Sequence, residues 1–206
     1  MDDSVIDAIR RWPNVPAVFG WLSLTARGQW RLHPDGTASQ GTAGESISNM
    51  QILSFINRNY VHDGKGRWLF QNGPQRVYVR LDAAPWIAFA DDSRGELTTH
   101  TGLPIKTVTK LSLDDQGHLY LDTEHGPCML VDRDLSRFVQ DFKTEQGQSL
   151  EDWWADDGQA DDEQTHTVLI NAGTRWHACI TAVPVIRLGA TVPIDKQLGF
   201  VANPVD

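Results

Sequence analysis

Residues 67–81, Arg67-Trp68-Leu69-Phe70-Gln71-Asn72-Gly73-Pro74-Gln75-Arg76-Val77-Tyr78-Val79-Arg80-Leu81, constrain the fold more than any other stretch. After Asn72-Gly73-Pro74, the apolar Val77, Val79 and Leu81 alternate with Arg76, Tyr78 and Arg80. This period of two is the signature of a strand with one buried face, and the second set belongs on the opposite face. Asn72 and Gly73 supply the positive-φ geometry of a reversal, and Pro74 stops either strand running through it. The stretch therefore reads as a β-hairpin. Pro74 argues for a loop longer than two residues.

A weaker copy of this pattern recurs. At a shift of 99 positions, Asn72, Arg76, Ala83, Pro85 and Ile87 fall on Asn171, Arg175, Ala182, Pro184 and Ile186. Upstream, at a shift of 89, Leu22-Ser23-Leu24 and Gly28 fall on Leu111-Ser112-Leu113 and Gly117, and Leu32 falls on Leu121. The order of the two matches is preserved, which points to a tandem duplication with one inserted loop. Any two antiparallel hairpins also share alternation and turn glycines, so the identities alone permit the plainer reading.

Punctuation along the chain divides it further. Residues 3–12 form a short amphipathic helix closed by Pro13 and Pro16, within an N-terminal segment 1–16. A first repeat unit spans 17–101. It has strands at Val18 to Leu24 and Gln29 to Leu32, and a helix whose Ile47, Met50, Leu53, Ile56 and Tyr60 make one core-facing stripe capped by Ser46 or Ser48. The hairpin follows, and then Trp86 to Ala90 and Glu96 to His100. The second unit, 102–190, repeats hairpin and helix, with strands at Thr167 to Asn171 and Arg175 to Ala182. An acidic insertion at about 144–165 and a tail at 191–206 complete the chain. The expected fold is α+β, with mostly antiparallel sheet in two pseudo-twofold repeats of hairpin, helix, hairpin and strand.

Charge narrows the functional classes. The net charge is −9 over 206 residues. Seven of those charges are Glu151, Asp152, Asp156, Asp157, Asp161, Asp162 and Glu163, uninterrupted by Lys or Arg. No broad basic face remains for nucleic acid or for an anionic membrane surface. The start Met1-Asp2-Asp3-Ser4 lacks the basic-then-apolar layout of a secretory signal, and no stretch reaches the length of a membrane span. Cys128 and Cys179 do not make a disulfide scaffold. A cytoplasmic protein is the simplest expectation.

His33-Pro34-Asp35-Gly36, Ile56-Asn57-Arg58-Asn59-Tyr60, Gly66 to Val77 and Asp132-Arg133-Asp134-Leu135 resemble the signature of a proteobacterial family of unknown function. The resemblance covers most of the chain. It implies that the segment around Arg76 matters, and it implies no activity.

Candidate chemistry is sparse. Under the 99-residue shift, Arg76, Tyr78 and Arg80 are matched by Arg175, His177 and Cys179. If the units pack about a pseudo-twofold axis, Arg76, Tyr78, Arg80, Arg175 and His177 line a shared cleft suited to a small anion, because guanidinium grips carboxylate or phosphate through paired hydrogen bonds. The same side chains also read as solvent-facing strand residues. His125-x-x-Cys128 and His177-x-Cys179 offer four zinc-type ligands, though neither spacing is a standard zinc signature. The acidic segment lacks the order of an EF-hand loop. Its Trp153-Trp154 pair suits either an anchor to its own domain or a protein partner. His62-Asp63 and His100 are the acid–base candidates. Nucleophile-elbow, phosphate-loop and dinucleotide motifs are missing. The reading is a non-catalytic binding or regulatory module with no cofactor, taking a small anion between the repeats or a protein at Trp153-Trp154. The alternative is an enzyme using His and acid residues, or a His/Cys-bound metal.

Overall fold

The computed structural model describes residues 1–91, 93–140, 142–156, 167–171, 174–176 and 178–206, and it divides into two compact units. Unit 1 is Met1–Pro85 with Gly199–Asp206, and unit 2 is Trp86–Leu198. The fold is α+β, with largely antiparallel sheets. Among the described residues no helix is long and apolar enough to cross a membrane.

Unit 1 contains α1 (Asp3–Arg11), β1 (Val18–Leu24), β2 (Trp30–Leu32), β3 (Glu45–Ser46), α2 (Met50–Arg58), β4 (Tyr60–His62), β5 (Trp68–Asn72) and β6 (Gln75–Leu81). Its sheet runs β3-β2-β1-β6-β5-β4, with β1 and β6 parallel at the centre. Leu24, Trp30, Tyr60, Val79 and Leu81 are buried in this unit's core. Each such side chain contributes roughly 1.5–3 kcal/mol by leaving water. The helix α2 is fastened over this core. Phe55 meets Phe70 edge to face at 5.5 Å, and the Trp30 indole N–H donates to Asn57 Oδ1 at 2.8 Å. The Asp2 N–H donates to Asn59 Oδ1 at 2.8 Å, which ties α1 to the end of α2. The C-terminal residues return to this unit, where Leu81 N–H donates to Ala202 O.

The β5–β6 reversal is tighter than Pro74 suggested. Asn72 pairs with Gln75, so the loop is the two residues Gly73 and Pro74. Gly73 has φ +56°, and the fixed φ of proline suits the second position of such a turn.

Unit 2 contains β7 (Trp86–Asp91), β8 (Glu96–Thr99), β9 (Pro104–Ile105), β10 (Val108–Leu113), β11 (Leu119–Thr123), β12 (Gly126–Leu130), α3 (Asp132–Val139), β13 (Lys143–Thr144), α4 (Leu150–Asp156), β14 (Thr167–Asn171), β15 (Ala182–Arg187) and α5 (Ile194–Gln197). Its sheet runs β13-β14-β15-β10-β11-β12-β7-β8-β9. The expected strand at Arg175 to Ala182 is not formed. Thr174–Trp176 is a single 3-10 turn, and the strand is Ala182–Arg187. Pro184 disguised it, because proline usually marks the edge or end of a strand. Here Val183 and Val185 on either side are buried and hold it in place.

The two sheets share an order. Read in reverse, β12-β11-β10-β15-β14-β13 in unit 2 repeats β3-β2-β1-β6-β5-β4, with the helix between the third and fourth strands in both. The registers agree as well. Leu22↔Leu32 and Leu24↔Trp30 recur as Leu111↔Leu121 and Leu113↔Leu119, at an offset of 89. The parallel pairs Leu22↔Val79 and Leu111↔Val185 put β6 and β15 at an offset of 106, since 185 − 79 = 106. The 99-residue shift therefore fails, because Gln71↔Arg76 and Asn171↔Ala182 also put β5 and β14 at an offset of 100, since 171 − 71 = 100. By register, Arg76, Tyr78 and Arg80 correspond to Ala182, Pro184 and Ile186 rather than to Arg175, His177 and Cys179. Arg31↔Ser46 and Tyr120↔Met129 set an offset of 83 at the third strand. Carried into the helices, that offset lays Ile52, Phe55 and Ile56 on Leu135, Phe138 and Val139.

Candidate functional site: the apolar groove of unit 1

The helix α2 carries more apolar surface than its sheet can cover. Met50, Ile52, Leu53, Phe55 and Ile56 spread over a sector wider than one seam on a helix turning 100° per residue. Ile56 is 2% exposed and fixes the helix to the core, whereas Ile52 is 49% and Met50 75% exposed. The expected core stripe therefore holds at Ile56 and fails at Met50. The helix starts at Asn49, not Ser46 or Ser48. The Asn49 side-chain oxygen accepts from Gln51 N–H at 2.9 Å and Ile52 N–H at 3.1 Å.

Between Ile52 and Ile56 on the helix and Leu22, Leu32 and Val77 on the sheet lies a groove of about 670 Å³. That falls within the roughly 300–1,000 Å³ of small-molecule sites. Trp21, 45% exposed, stands in its wall. The short β5–β6 turn brings Asn72 and Gln75 to one end, and Glu45, Ser48 and Asn49 add polar groups. Glu45 is the one charged residue in the lining, and it has no ion pair among the described residues. None of these residues was expected from the sequence to form a site. The available signal was Ile52, which has an apolar neighbour four residues on at Ile56 yet lies outside the stripe through Met50 and Leu53.

The sequence-selected residues lie elsewhere. Tyr78, expected on an open face, is buried. The parallel β1–β6 pairing brings Phe19 alongside, and the rings stack at 4.6 Å. The Tyr78 hydroxyl donates to Asp63 Oδ2 at 3.1 Å and accepts from Arg67 at 3.1 Å. Burial alone would raise the Asp63 carboxyl, but hydrogen bonds from Lys65 N–H, Arg67 and Tyr78 outweigh it and hold the group below the usual range. Asp63 is thus committed to this lock rather than to His62, whose Nδ1 accepts from Gly64 N–H at 3.2 Å. Arg80 pairs with Asp82 at 2.8 Å. Arg76 is exposed. Arg175 belongs to unit 2, where its carbonyl lies against Gly95, and His177 lies outside the described residues.

The thiols are closed. Cys128 is fully buried in β12, and burial pushes its thiol far above the ordinary range. Burial pushes the Cys179 thiol up to about 11, and its Sγ–H points to the Trp176 carbonyl at 3.4 Å. His125 Nε2 bonds the Pro104 carbonyl at 2.9 Å. Among the described residues no three His, Cys, Asp or Glu side chains are grouped to hold a metal. Of the acidic run, Asp157, Asp161, Asp162 and Glu163 lie outside the described residues. The Trp153-Trp154 pair is stacked on its own unit. The Arg187 guanidinium sits over both rings at 4.9 and 4.4 Å and donates to both carbonyls. A smaller cavity of about 330 Å³ lies between α3 and α4, lined by Leu135, Val139, Leu150 and Trp154.

One histidine contact resembles a catalytic dyad. His33 Nε2 and Ser23 Oγ are 2.9 Å apart, and His33 Nδ1 and Thr42 Oγ1 are 2.8 Å apart. Both Ser23 and His33 are shut from solvent. Burial, then the nearby Arg80 charge, lowers the His33 pKa and favours the neutral ring. No substrate reaches this pair, so it fastens β1 to the segment after β2.

The groove makes unit 1 a sheet-and-helix scaffold with an open apolar site, within a mixed α+β protein of two compact units. The chain belongs to the DUF2944 family (Protein of unknown function, DUF2946), whose sequence profile matches residues 1–205. No protein of curated function matches it. Among solved structures, a DUF1285 family protein from Silicibacter pomeroyi DSS-3 is similar, with a TM-score of 0.46 and 16% identity over 70% of this chain and 87% of that one.

Proposed function

We propose that the chain is a non-catalytic binding module built from two tandem copies of one β-β-β-α-β-β-β unit, and that the unit 1 groove takes an apolar ligand. The half-exposed Ile52 over a 670 Å³ apolar space is the observation that carries this reading. Its lining has one titratable group, Glu45, and no cation. General acid–base catalysis needs positioned partners that such a lining does not assemble. A lone carboxylate also disfavours an anionic ligand and suits a neutral or cationic one. The shared strand order and registers of the two units support the duplication.

The test is a titration with the neutral dye Nile red. One saturable site is expected, lost in both Ile52→Glu and Ser48→Trp with the far-ultraviolet circular dichroism unchanged. The first variant places a charge in the groove and the second fills it. No binding, or binding indifferent to both variants, overturns the proposal.

A further inference from the structure

The sheet of unit 1 sorts its charges between its two faces. Alternation puts Leu22 and Leu24 on one face and Ser23 on the other. Paired residues share a face, so Ser23↔Arg31 and Ser23↔Arg80 place both arginines on the face away from Leu22. Arg76 joins them, since it alternates with Gln75 and Val77, which line the groove. The groove face is built differently. Leu22↔Leu32 and Leu32↔Glu45 set these side chains in one row across β1, β2 and β3, and the row ends on a carboxylate.

The residue before Glu45 fixes its place. Gly44 has φ +63°, and a side chain there would overlap the His33 ring and the Leu32 carbonyl. His33 is held in turn by Ser23 and Thr42. The chain enters β3 by this tight crossing, which sets Glu45 beside Leu32 at the sheet edge. From there the lining crosses Leu32, Leu22 and Val77 to Phe70 on β5. Four strand spacings of about 4.8 Å separate β3 from β5, roughly 19 Å in all. Among the described residues, no lysine or arginine lines the groove.

From this polarity we infer that the groove takes an elongated organic cation, an amphiphile whose apolar tail lies across Leu32, Leu22 and Val77 and whose ammonium head meets Glu45 at the sheet edge. The inference rests on the groove being a binding site and names the ligand class for it. The tail is stabilised by leaving water. The head stays hydrated, because Glu45 is exposed. An anionic amphiphile with the same tail would set two carboxylates together at that edge, which disfavours it.

The probes are decylammonium, decanol and decanoate, which share one tail and differ in the head. Each is titrated below its micelle concentration against the full chain at neutral pH, and displacement of Nile red reads its affinity. Salt at about 0.15 M screens charges beyond about 8 Å, so the acidic chain as a whole contributes little. Decylammonium is expected to bind one to one, about threefold tighter than decanol, as exposed charge pairs do, and about tenfold tighter than decanoate. Glu45→Gln should bring the three within about twofold of one another. Glu96→Gln removes an exposed carboxylate from unit 2 and should leave the ranking unchanged. Failure of Nile red to bind overturns the binding-site reading and this inference with it. Dye that decylammonium does not displace, equal affinity for decanoate, or a ranking that survives Glu45→Gln overturns this inference alone and leaves the apolar site standing. Equal levelling by Glu96→Gln assigns the preference to net charge and overturns it as well.

Discussion

Ile52 and Ile56 are the same residue type one turn apart on α2, and the structure assigns them opposite duties. Ile56 is 2% exposed beneath the helix, while Ile52 is 49% exposed above the groove. Truncating a buried isoleucine to alanine costs about 2–5 kcal/mol, from lost transfer energy plus the cavity left behind. Alanine returns roughly 0.4 kcal/mol of helix propensity at either position. Ile56→Ala should therefore destabilise unit 1 by about 2–4 kcal/mol. Ile52 gives up only about half of the roughly 1.5–3 kcal/mol of a full burial and leaves no enclosed cavity, so Ile52→Ala should cost about 0.5–1 kcal/mol. Equilibrium urea unfolding, comparing midpoints at constant slope, reads the difference directly. A cost for Ile52→Ala as large as that for Ile56→Ala would refute the reasoning, because the groove would then be closed in solution.

Three other predictions follow from single residues. The Ile87 N–H donates to His100 Nδ1 at 3.3 Å, its Nε2 is shut from water, and burial depresses its pKa to about 3. A depressed folded pKa means the unfolded chain takes the proton first, so stability is full above pH ~6.5 and falls toward pH ~3 by at most about 1.4 kcal/mol per unit; His100→Gln should flatten that slope in denaturation curves. Neither Cys128 nor Cys179 should react with a disulfide reagent at pH 8 in the native protein, and both should react in urea. Gly20 has φ +80° with the Gly36 carbonyl oxygen against it, so Gly20→Ala should cost at least about 2 kcal/mol in thermal unfolding, while Gly117→Ala, with open space around it, should cost less.

Periodicity exposed the central strands because they are short-range objects. The run Val18 to Leu24 and the Val77-Val79-Leu81 alternation each carry their own face assignment, and the register of Leu22 to Leu32 recurs 89 residues later as expected. The downstream part of the expected match was misaligned for a physical reason. The ten residues between β14 and β15 include Trp176, Ala178 and Ile180, which alternate like a strand, whereas Trp176 closes a 3-10 turn and is buried. The anion site at Arg76, Tyr78 and Arg175 inherited that misalignment. It also assumed that one sheet face was open, whereas Phe19 and Asp63 close it at Tyr78. The groove was illegible because it depends on what the chain omits. Nothing local to Ile52 reveals that Leu22, Leu32 and Val77 leave space beside it.

The most direct test of the groove as a binding site is a titration of the full chain with indole, followed in the methyl spectrum of isotope-labelled isoleucines. The account predicts that Ile47, Ile52 and Ile56, which line the groove, shift together and saturate with one dissociation constant. Ile87 and Ile105, buried in unit 2, should stay fixed. Absence of saturable shifts at Ile52 and Ile56, or equal shifts at Ile87 and Ile105, would contradict it.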